Sequence, residues 1–243
     1  NEKIVKEVME LSPEHSFDEV YQLAADMGGA GYIFTGEHDA DVMHNSAVIN
    51  LHVAKEALRQ KIGCLFYSSS ACAYPEHNQL DPDNPNCEES SAYPANPGGK
   101  EKAPAAMCRK VAECEDGGEI EVWGNGKQTR SFLYIDECLE AIARFVKQDE
   151  FRGPVNIGSE EMVSINKLAE ITTKVSGKTV RIKNLFGEEF EEKYGHACPL
   201  GVKGRNSDNA LYKEKMGWES QKPLIDGISS TYHWINEKVN EKG

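Results

Sequence analysis

In the first part of the chain, the pattern of hydrophobic and polar positions predicts two strands separated by a helix. The apolar runs in FDEVYQLAA and GCLFYSSS are typical of strands, and DVMHNSAVINLHVAKEAL between them has helical periodicity. Two strands joined in this way are expected to be parallel, because a crossover helix is the usual connection between parallel neighbours. The opening residues, NEKIVKEVMEL, predict a further helix.

The rest of the chain predicts a loop followed by alternating helices and strands. Residues 77–99 are rich in Pro, Asn and Asp, so we expect a loop with little core material. Beyond it, Asp136 and Ser164 are placed to cap helices. The predicted strands are EIEVW, RSFLYI, GPVNIGS and TVRIKNL, and the predicted helices are EKAPAAMCRKVAEC, the segment from Asp136, INKLAEI, NALYKEKMGW and ISSTYHWINEKV. The pattern therefore predicts an α/β unit up to about residue 97, and a mixed second region with a helical tail beyond it.

Composition and charge exclude several classes of protein. With 243 residues, 39% of them hydrophobic, the chain can build one large core or two small ones. A net charge of −13 without a long run of Lys or Arg argues against a surface for nucleic acid or anionic membrane. No apolar run reaches the roughly 20 residues of a membrane-spanning helix. We therefore expect any anionic ligand to be held by a few locally placed cations.

The seven cysteines form no recognisable framework. They are scattered, odd in number and include no C-x-x-C pair, which argues against disulfides and against a zinc site. We therefore expect a reducing, cytosolic compartment and no bound metal. The sequence begins at Asn1 without a methionine, which we interpret as a sign that it is part of a longer protein.

The stretch YSSSACAYPE places three serines and Cys72 directly after the apolar run CLF. From the residues alone, Cys72 is most simply a small core residue. Lys102, in KEKAP, is most simply a solvated lysine at the start of a helix. The glycines of DMGGAG indicate a turn and do not form the G-x-G-x-x-G fingerprint of a dinucleotide site. From the residues alone, a structural role and a functional role therefore both stay open for Cys72 and Lys102.

Several strings taken together resemble the extended short-chain dehydrogenase/reductase superfamily. They are YQLAAD, SSSACAYPE, GNGKQTRSFLYIDECLEAI, VNIGSEEMVSINKLAE and DNALYKEKMGW. Finer strings, AADMGGAG, SSACAYPE, GGKEKAPAAMCRK and GRNSDN, are similar to the GDP-mannose 3,5-epimerase family within it. The resemblance covers nearly the whole chain, and its specific motifs lie in four separate places.

The resemblance implies a fold, an activity and partners. The fold is α/β, with a Rossmann-type doubly wound parallel sheet in an NAD-binding domain over residues 1–97. Residues 98–243 are mainly a smaller C-terminal α/β region that binds the nucleotide sugar, with some elements returning to the first domain. The implied activity is that of an NAD-dependent isomerase, which converts GDP-mannose to GDP-L-galactose by transient oxidation at C4 and inversion at C3 and C5. A homodimer that binds neither nucleic acid nor membrane is implied as well.

The resemblance also assigns roles to residues. Cys72 and Lys102 are implied as the pair that exchanges protons on opposite faces of the sugar, and Ser70 as the hydrogen-bond partner of the 4-hydroxyl. The implied substrate-binding residues are Gly28, Gly29, Ala71, Glu101, Ala103, Lys110, Gln128, Thr129, Arg130 and Arg205. The implied cofactor-binding residues are Leu23, Ala24, Ala25 and Asn45.

Two parts of the family pattern are absent from the sequence. The chain lacks the Gly-rich turn that holds the NAD pyrophosphate, and no tyrosine lies four residues before a lysine, as the family's Tyr-x-x-x-Lys motif requires. This motif belongs between SSAYPANP and GGKEKAP, so we interpret the sequence as joined parts of a longer protein. The alternatives are a 4-epimerase or dehydratase of the same superfamily that acts on a nucleotide sugar, and a non-catalytic truncated member.

Overall fold

The structure of the chain is a computed structural model that describes residues 17–26, 38–69, 74, 76–85, 87–89, 103–198 and 201–241. The chain divides into two compact units, Asn1–Ala71 and Cys72–Gly243, called unit one and unit two below. The predicted helix in the opening residues and the predicted domain boundary at residue 97 lie outside the described residues.

Unit one contains the predicted strand, helix and strand. Strand β1 (Glu19–Gln22) pairs in parallel with strand β2 (Cys64–Tyr67), and helix α1 (Asp39–Arg59) lies between them in sequence. Val53 and Ala57, one helical turn apart on α1, are buried. The parallel pairing confirms the crossover that the sequence predicts.

Unit two contains two further small sheets in its described part. Strand β3 (Glu119–Trp123) pairs in parallel with β6 (Arg181–Leu185). Strand β4 (Thr129–Ser131) lies between β5 (Met162–Ser164), which is antiparallel to it, and β7 (Gly204–Arg205), which is parallel to it. The helices are α2 (Ala103–Glu113), α3 (Ile135–Lys147), α4 (Ile165–Ser176), α5 (Gly187–Tyr194), α6 (Ala210–Met216) and α7 (Leu224–Asn240), and a short 3-10 helix covers Glu76–Gln79.

Helices α2, α4 and α7 pack with β3 to form the core of unit two. Val111, Leu168 and Ile228, one from each helix, are almost completely buried, and so are Ile120 and Val122 of β3. The apolar residues of these helices recur at three- and four-residue intervals, so that each helix buries one stripe. The sequence pattern therefore predicts the core-facing side of each helix.

The end of α2 is held by a lysine from a distant part of the chain. Lys178, which follows α4, donates hydrogen bonds from Nζ to the carbonyl oxygens of Val111 at 3.0 Å, Ala112 at 2.8 Å and Cys114 at 2.6 Å. The last carbonyls of a helix have no partner within it, and a positive charge is favourable there. Lys178 therefore satisfies two acceptors that the end of the helix leaves open and a third acceptor directly after it.

Two details of the predicted helices and strands differ in the structure. The strand predicted at residues 130–135 ends at Ser131, because β5 and β7 offer β4 partners over only a few residues. Helix α3 then begins at Ile135 with Tyr134 as its N-cap, so the prediction that Asp136 caps it is wrong. Asp136 lies in the first turn, where a negative charge suits the helix dipole. The predicted cap of α4 is confirmed, since the Ser164 hydroxyl accepts a hydrogen bond from the Lys167 amide at 3.0 Å.

The strand predicted at residues 153–159 is absent, and this segment is irregular. The hydrogen bonds of Asn156 show why. Its backbone amide donates to the Glu89 carboxylate at 2.7 Å instead of to a neighbouring strand. Its side-chain amide donates to the carbonyl oxygens of Cys87 and Asp208, both at 3.0 Å. Asn156 therefore joins three segments, and side-chain contacts replace a strand ladder here.

Within the described ranges, no helix is both long enough and apolar enough to span a bilayer. The cysteines of these ranges form no disulfide with one another. The same part of the chain contains no group of three His, Cys, Asp or Glu side chains that could hold a metal ion.

Candidate active site

Two of the predicted substrate-binding residues are neighbours in the small sheet of unit two. Arg130 of β4 is in register with Arg205 of the parallel strand β7. Residues in register on neighbouring strands lie roughly 4.8 Å apart, and their side chains point to the same face of the sheet. The fold therefore places two arginines side by side, although they are far apart in sequence. A guanidinium binds phosphate through two hydrogen bonds, so this pair is suited to a diphosphate.

Both arginine side chains are half-buried and are anchored by hydrogen bonds. The Arg130 guanidinium donates to the carbonyl oxygens of Thr129 at 2.6 Å and Val202 at 2.8 Å. The Nε of Arg205 donates to the side-chain oxygen of Gln79 at 2.5 Å. Because these contacts already restrict the side chains, an anion that binds them loses less conformational entropy than it would with a mobile surface lysine.

The loop after the 3-10 helix approaches this sheet closely. The Thr129 hydroxyl donates to the carbonyl oxygen of Pro82. A Cβ atom on Gly204 would lie 2.5 Å from the carbonyl oxygen of Asp81, so only glycine allows this approach. Residues 77–99, predicted to be a loop with little core material, instead include the buried Gln79 at the end of the 3-10 helix. The described part of this segment supports the strands that carry the arginines.

Gln128 precedes the sheet and is buried. Its backbone carbonyl accepts a hydrogen bond from the amide of Ile165 at 2.9 Å, which fixes the chain before β4. The side-chain oxygen of Gln128 is buried and has no hydrogen-bond partner in the described structure. An unsatisfied buried acceptor is uncommon in folded proteins, and it is available to a ligand donor or a water molecule.

Lys110 lies in a different part of unit two. It is in the last turn of α2, and its Nζ donates to the carbonyl oxygen of Glu121 on β3 at 2.6 Å. Burial lowers the pKa of Lys110, and repulsion from Arg109 and Lys193 adds to this effect, while Glu121 opposes it. Ala103 is the first residue of α2 and packs against the core. Lys110 thus belongs to the β3–β6 sheet and not to the sheet that carries the arginines.

The sequence did not indicate the polar cluster around Glu121. The Glu121 carboxylate accepts hydrogen bonds from Lys193, from the Tyr194 hydroxyl at 2.5 Å and from the Trp123 indole at 3.1 Å. Burial favours a raised pKa for Glu121, but the three donors outweigh burial and hold the pKa below its usual value. Lys193 and Tyr194 come from α5, and only the three-dimensional packing of α5 brings them to β3.

Seven of the predicted site residues lie outside the described residues. They are Gly28, Gly29, Ser70, Ala71, Cys72, Glu101 and Lys102. The acid/base pair is among them, so the roles assigned to Cys72 and Lys102 stay predictions.

The predicted cofactor-binding residues of unit one follow the carboxyl end of β1. Leu23, Ala24 and Ala25 are exposed there, and Leu23 is 60% exposed despite its apolar side chain. The buried Gln22 holds the turn, since its side-chain oxygen accepts from the Ala24 amide at 3.3 Å and its amide donates to Asn50 at 2.7 Å. A short apolar surface is thus presented at the strand end.

Asn45, on α1, is tied to the same turn. Its side-chain amide donates to the carboxylate of Asp26 at 2.8 Å, and the Asp26 amide donates to the Ser46 hydroxyl at 3.1 Å. Rossmann-type sheets bind dinucleotides at the carboxyl ends of their strands. Small and apolar residues at this edge, backed by an ordered polar turn, fit the flat rings of a dinucleotide such as NAD.

Comparison with known proteins decides the family. The GDP-mannose 3,5-epimerase of Arabidopsis thaliana is 39% identical over 274 residues, which cover 96% of this chain and 68% of that protein. The chain belongs to the GDP-mannose 3,5-epimerase family. GDP-mannose 3,5-epimerase 1 of Oryza sativa subsp. indica is also 39% identical, with the same shares of the two chains.

Two family profiles also match the chain. The profile of the NAD dependent epimerase/dehydratase family matches residues 4–108, and that of GDP-mannose 4,6 dehydratase matches residues 95–231. The alignment with the Arabidopsis protein is longer than the chain's own 243 residues. That protein therefore carries internal residues that this chain lacks, as the sequence comparison with the family pattern predicts.

Solved structures establish the fold of this GDP-mannose 3,5-epimerase family member. The UDP-glucose 4-epimerase of Thermus thermophilus, in complex with NAD, superposes with a TM-score of 0.71 over 97% of this chain and 82% of the other, at 13% identity. The likeness confirms the predicted Rossmann-type α/β fold. This comparison supports the fold alone, because a sequence identity of 13% is too low to infer a function from it.

Proposed function

We propose that the protein is an NAD-dependent GDP-mannose 3,5-epimerase, which converts GDP-mannose to GDP-L-galactose. The observation that carries the proposal is the pairing of Arg130 with Arg205 in a chain of this family. Two anchored guanidinium groups on one face suit the diphosphate of a GDP-sugar. We assign the remaining contacts to the nucleotide sugar to Gln128, Thr129, Lys110 and Ala103, and to the predicted residues outside the described ranges.

The reaction requires that unreactive C–H bonds of the sugar become acidic. When bound, NAD+ supplies reversible oxidation at C4, and the resulting ketone acidifies the protons at C3 and C5. The residues assigned to hold this cofactor are Leu23, Ala24, Ala25 and Asn45. The exposed position of Leu23, Ala24 and Ala25 at the carboxyl end of β1, and the hydrogen bond of Asn45 to Asp26 in the same turn, support the assignment.

Inversion at each carbon needs one group that removes the proton and another that returns a proton on the opposite face. We assign these two roles to Cys72 and Lys102. A positively charged neighbour lowers the pKa of a thiol from its reference value of about 8.5, and burial lowers the pKa of a lysine from about 10.4, so both groups can come within reach of neutral pH. Ser70 donates a hydrogen bond to the oxygen at C4, and the arginines keep the diphosphate fixed while the sugar reacts.

The assay that tests this function follows isotope and product together. The intact protein is incubated with GDP-mannose and NAD+ in D2O, and the nucleotide sugars are examined by NMR. We expect deuterium at C3 and C5 and a product with the galacto configuration. Loss of oxygen at C6 would indicate a 4,6-dehydratase instead, and inversion at C4 alone a 4-epimerase. An intact protein that exchanges no sugar proton would contradict the proposal.

The lowered pKa of Lys110 gives the binding of GDP a pH dependence. The protonated amine of Lys110, on a different sheet from the arginine pair, contributes to GDP binding through its positive charge, and burial lets it lose its proton at a lower pH than an ordinary lysine with a pKa of 10.5. We expect GDP affinity to fall as pH rises through the lowered pKa of Lys110. Calorimetric titration with GDP across alkaline pH measures this fall.

Lys110→Arg is the matched variant for this test, because arginine keeps its charge throughout the range. We expect its affinity for GDP to stay level where the wild-type affinity falls. An equal fall in both proteins would assign the titration to another group.

We also propose that the protein forms a homodimer through α1. The side chains of Met43, Leu51 and Leu58 are 73%, 69% and 82% exposed and lie on one side of this helix, together with the exposed Ala47 and Ala54. A stripe of large apolar residues is costly to leave in water. A second copy presents the same stripe, so two α1 helices can cover each other around a twofold axis.

Leu51→Glu tests the dimer, because it places a charge at the centre of the stripe. We expect this variant to sediment as a monomer while the wild-type protein sediments as a dimer. Lys55→Glu, at another exposed position of α1, is the control that shows the effect of an added carboxylate alone. A dimer that survives Leu51→Glu would place the interface elsewhere.

The cytosolic location stays a prediction from the scattered cysteines.

A further inference from the structure

Gln79 is a fully buried polar residue for which the sequence offered no role. Its side chain has no exposed surface, although it lies in a loop rich in Pro, Asn and Asp. Both ends of the amide are engaged. The amide nitrogen donates to the carbonyl oxygen of Tyr74 at 3.2 Å, and the oxygen accepts from the Nε of Arg205 at 2.5 Å. The first contact fixes which end of the amide faces the guanidinium.

A contact to Nε restricts an arginine more than a contact to a terminal nitrogen. The Nε is the atom at which the planar guanidinium joins the flexible stem, so an acceptor placed there limits rotation of the plane. Arg205 therefore has a restricted guanidinium plane on the face where Arg130 is its register partner. A neutral amide provides this restraint without cancelling the positive charge.

The loop that carries Gln79 is itself held against the two arginine strands. The Thr129 hydroxyl bonds to Pro82, and the missing side chain of Gly204 admits Asp81 to the strand. The amide of Cys87 also donates to the side-chain oxygen of Asn206, next to Arg205, at 3.3 Å. The acceptor for Arg205 thus comes from a segment that is held against the two strands directly after Gln79.

We propose that Gln79 is a positioning residue for substrate binding: it aligns the guanidinium of Arg205 for the diphosphate of the nucleotide sugar while leaving its charge intact. This inference rests on the proposed function, because it takes the diphosphate as the ligand of Arg205. Gln79 itself does not contact the substrate in this account. Its effect on binding passes through Arg205.

The test is a double-mutant cycle with GDP as the probe and the full chain as the protein. The dissociation constant for GDP is measured by calorimetry for the wild type, Gln79→Met, Arg205→Lys and the double variant. Methionine has nearly the volume of glutamine but no acceptor for Nε, so we expect Gln79→Met to weaken GDP binding about tenfold. In the Arg205→Lys background we expect the same change to add less than about twofold, because lysine has no Nε plane to align.

Two further variants separate alignment from stability. Tyr74→Phe removes the hydroxyl that bonds to Asn156 in the same loop region, and it keeps the carbonyl that holds Gln79. We expect it to lower the melting temperature while leaving the dissociation constant of GDP unchanged. Gln79→Glu keeps the volume and the acceptor, but its charge pairs with Arg205 and competes with the diphosphate. We expect it to remain folded and to bind GDP about tenfold or more weakly.

Each outcome is decisive. The positioning role would be overturned if Gln79→Met bound GDP with wild-type affinity. It would also be overturned if the losses of GDP affinity in Gln79→Met and Arg205→Lys multiplied fully in the double variant. Wild-type affinity in Gln79→Glu would overturn the part of the inference that requires a neutral acceptor, and this variant remains informative if Gln79→Met does not fold. In turnover of GDP-mannose, alignment of a binding group raises KM in Gln79→Met with little change in kcat. A wild-type chain that binds no GDP overturns the proposed function and this inference together, whereas the results above overturn the inference alone.

Discussion

Replacing Cys72 with alanine is expected to slow the incorporation of solvent deuterium into the epimerised product of GDP-mannose by roughly 10²- to 10⁴-fold, the usual contribution of a positioned acid or base. Lys102→Ala is expected to have an effect of the same size, because each residue serves one face of the sugar. The double variant should be little slower than either single variant, since an inversion needs both groups. The measurement is the rate of deuterium incorporation from D2O, followed by NMR.

The controls for this prediction use residues of the same types that have no assigned role. Cys64→Ala changes a half-buried thiol of β2, and Lys147→Ala changes an exposed lysine at the end of α3. Both are expected to exchange protons at the wild-type rate. If Cys72→Ala and Lys102→Ala also exchanged at that rate, the acid/base pair would have to be sought among other residues, and the proposed mechanism would be wrong.

Arg205→Met is expected to weaken GDP binding by roughly 10- to 100-fold, the range for losing charge-assisted hydrogen bonds. The loss should be specific to the phosphates. Guanosine, which has none, should bind the variant and the wild type equally. Calorimetry with GDP and with guanosine separates a loss of phosphate contacts from a loss of nucleoside contacts.

Arg130→Met should also weaken GDP binding, but it removes the hydrogen bonds to Thr129 and Val202 as well and should therefore lower the stability of the fold.

Arg144 offers the matched control. It is exposed on α3 and pairs with Glu140 one turn away at 2.7 Å, an arrangement that contributes little to stability. Arg144→Met is expected to leave GDP affinity unchanged. An equal loss for GDP and guanosine in Arg205→Met would show that this arginine contacts the nucleoside or supports the fold, and not the diphosphate.

Local patterns of the sequence predicted most of the helices and strands but not their limits. Periodicity is sufficient to predict α1 and the strand Glu119–Trp123. A hydroxyl residue at position 164 is sufficient to predict the start of α4. The segment at residues 153–159 has the apolar pattern of a strand. It is irregular because Asn156 finds partners that are distant in sequence, and no local pattern contains that information.

For the candidate site too, the sequence indicates some of the residues but not how they are arranged. Resemblance to the family pointed to Arg130 and Arg205, but their register depends on how β4 and β7 pair, which the sequence does not state. Gln79 was missed because a single glutamine in a polar loop carries no distinguishing pattern. Its burial follows from the close approach of that loop to Gly204, a contact between segments far apart in the chain.

The three carbonyls gathered by Lys178 affect how unit two can open. A helix usually frays from its ends, one residue at a time. The last turn of α2 resists fraying, since its release breaks the hydrogen bonds to the Lys178 amine, which belongs to the segment after α4. Fraying of the helix that carries Lys110 is therefore coupled to the loosening of a distant turn, and the two segments open as one cooperative piece.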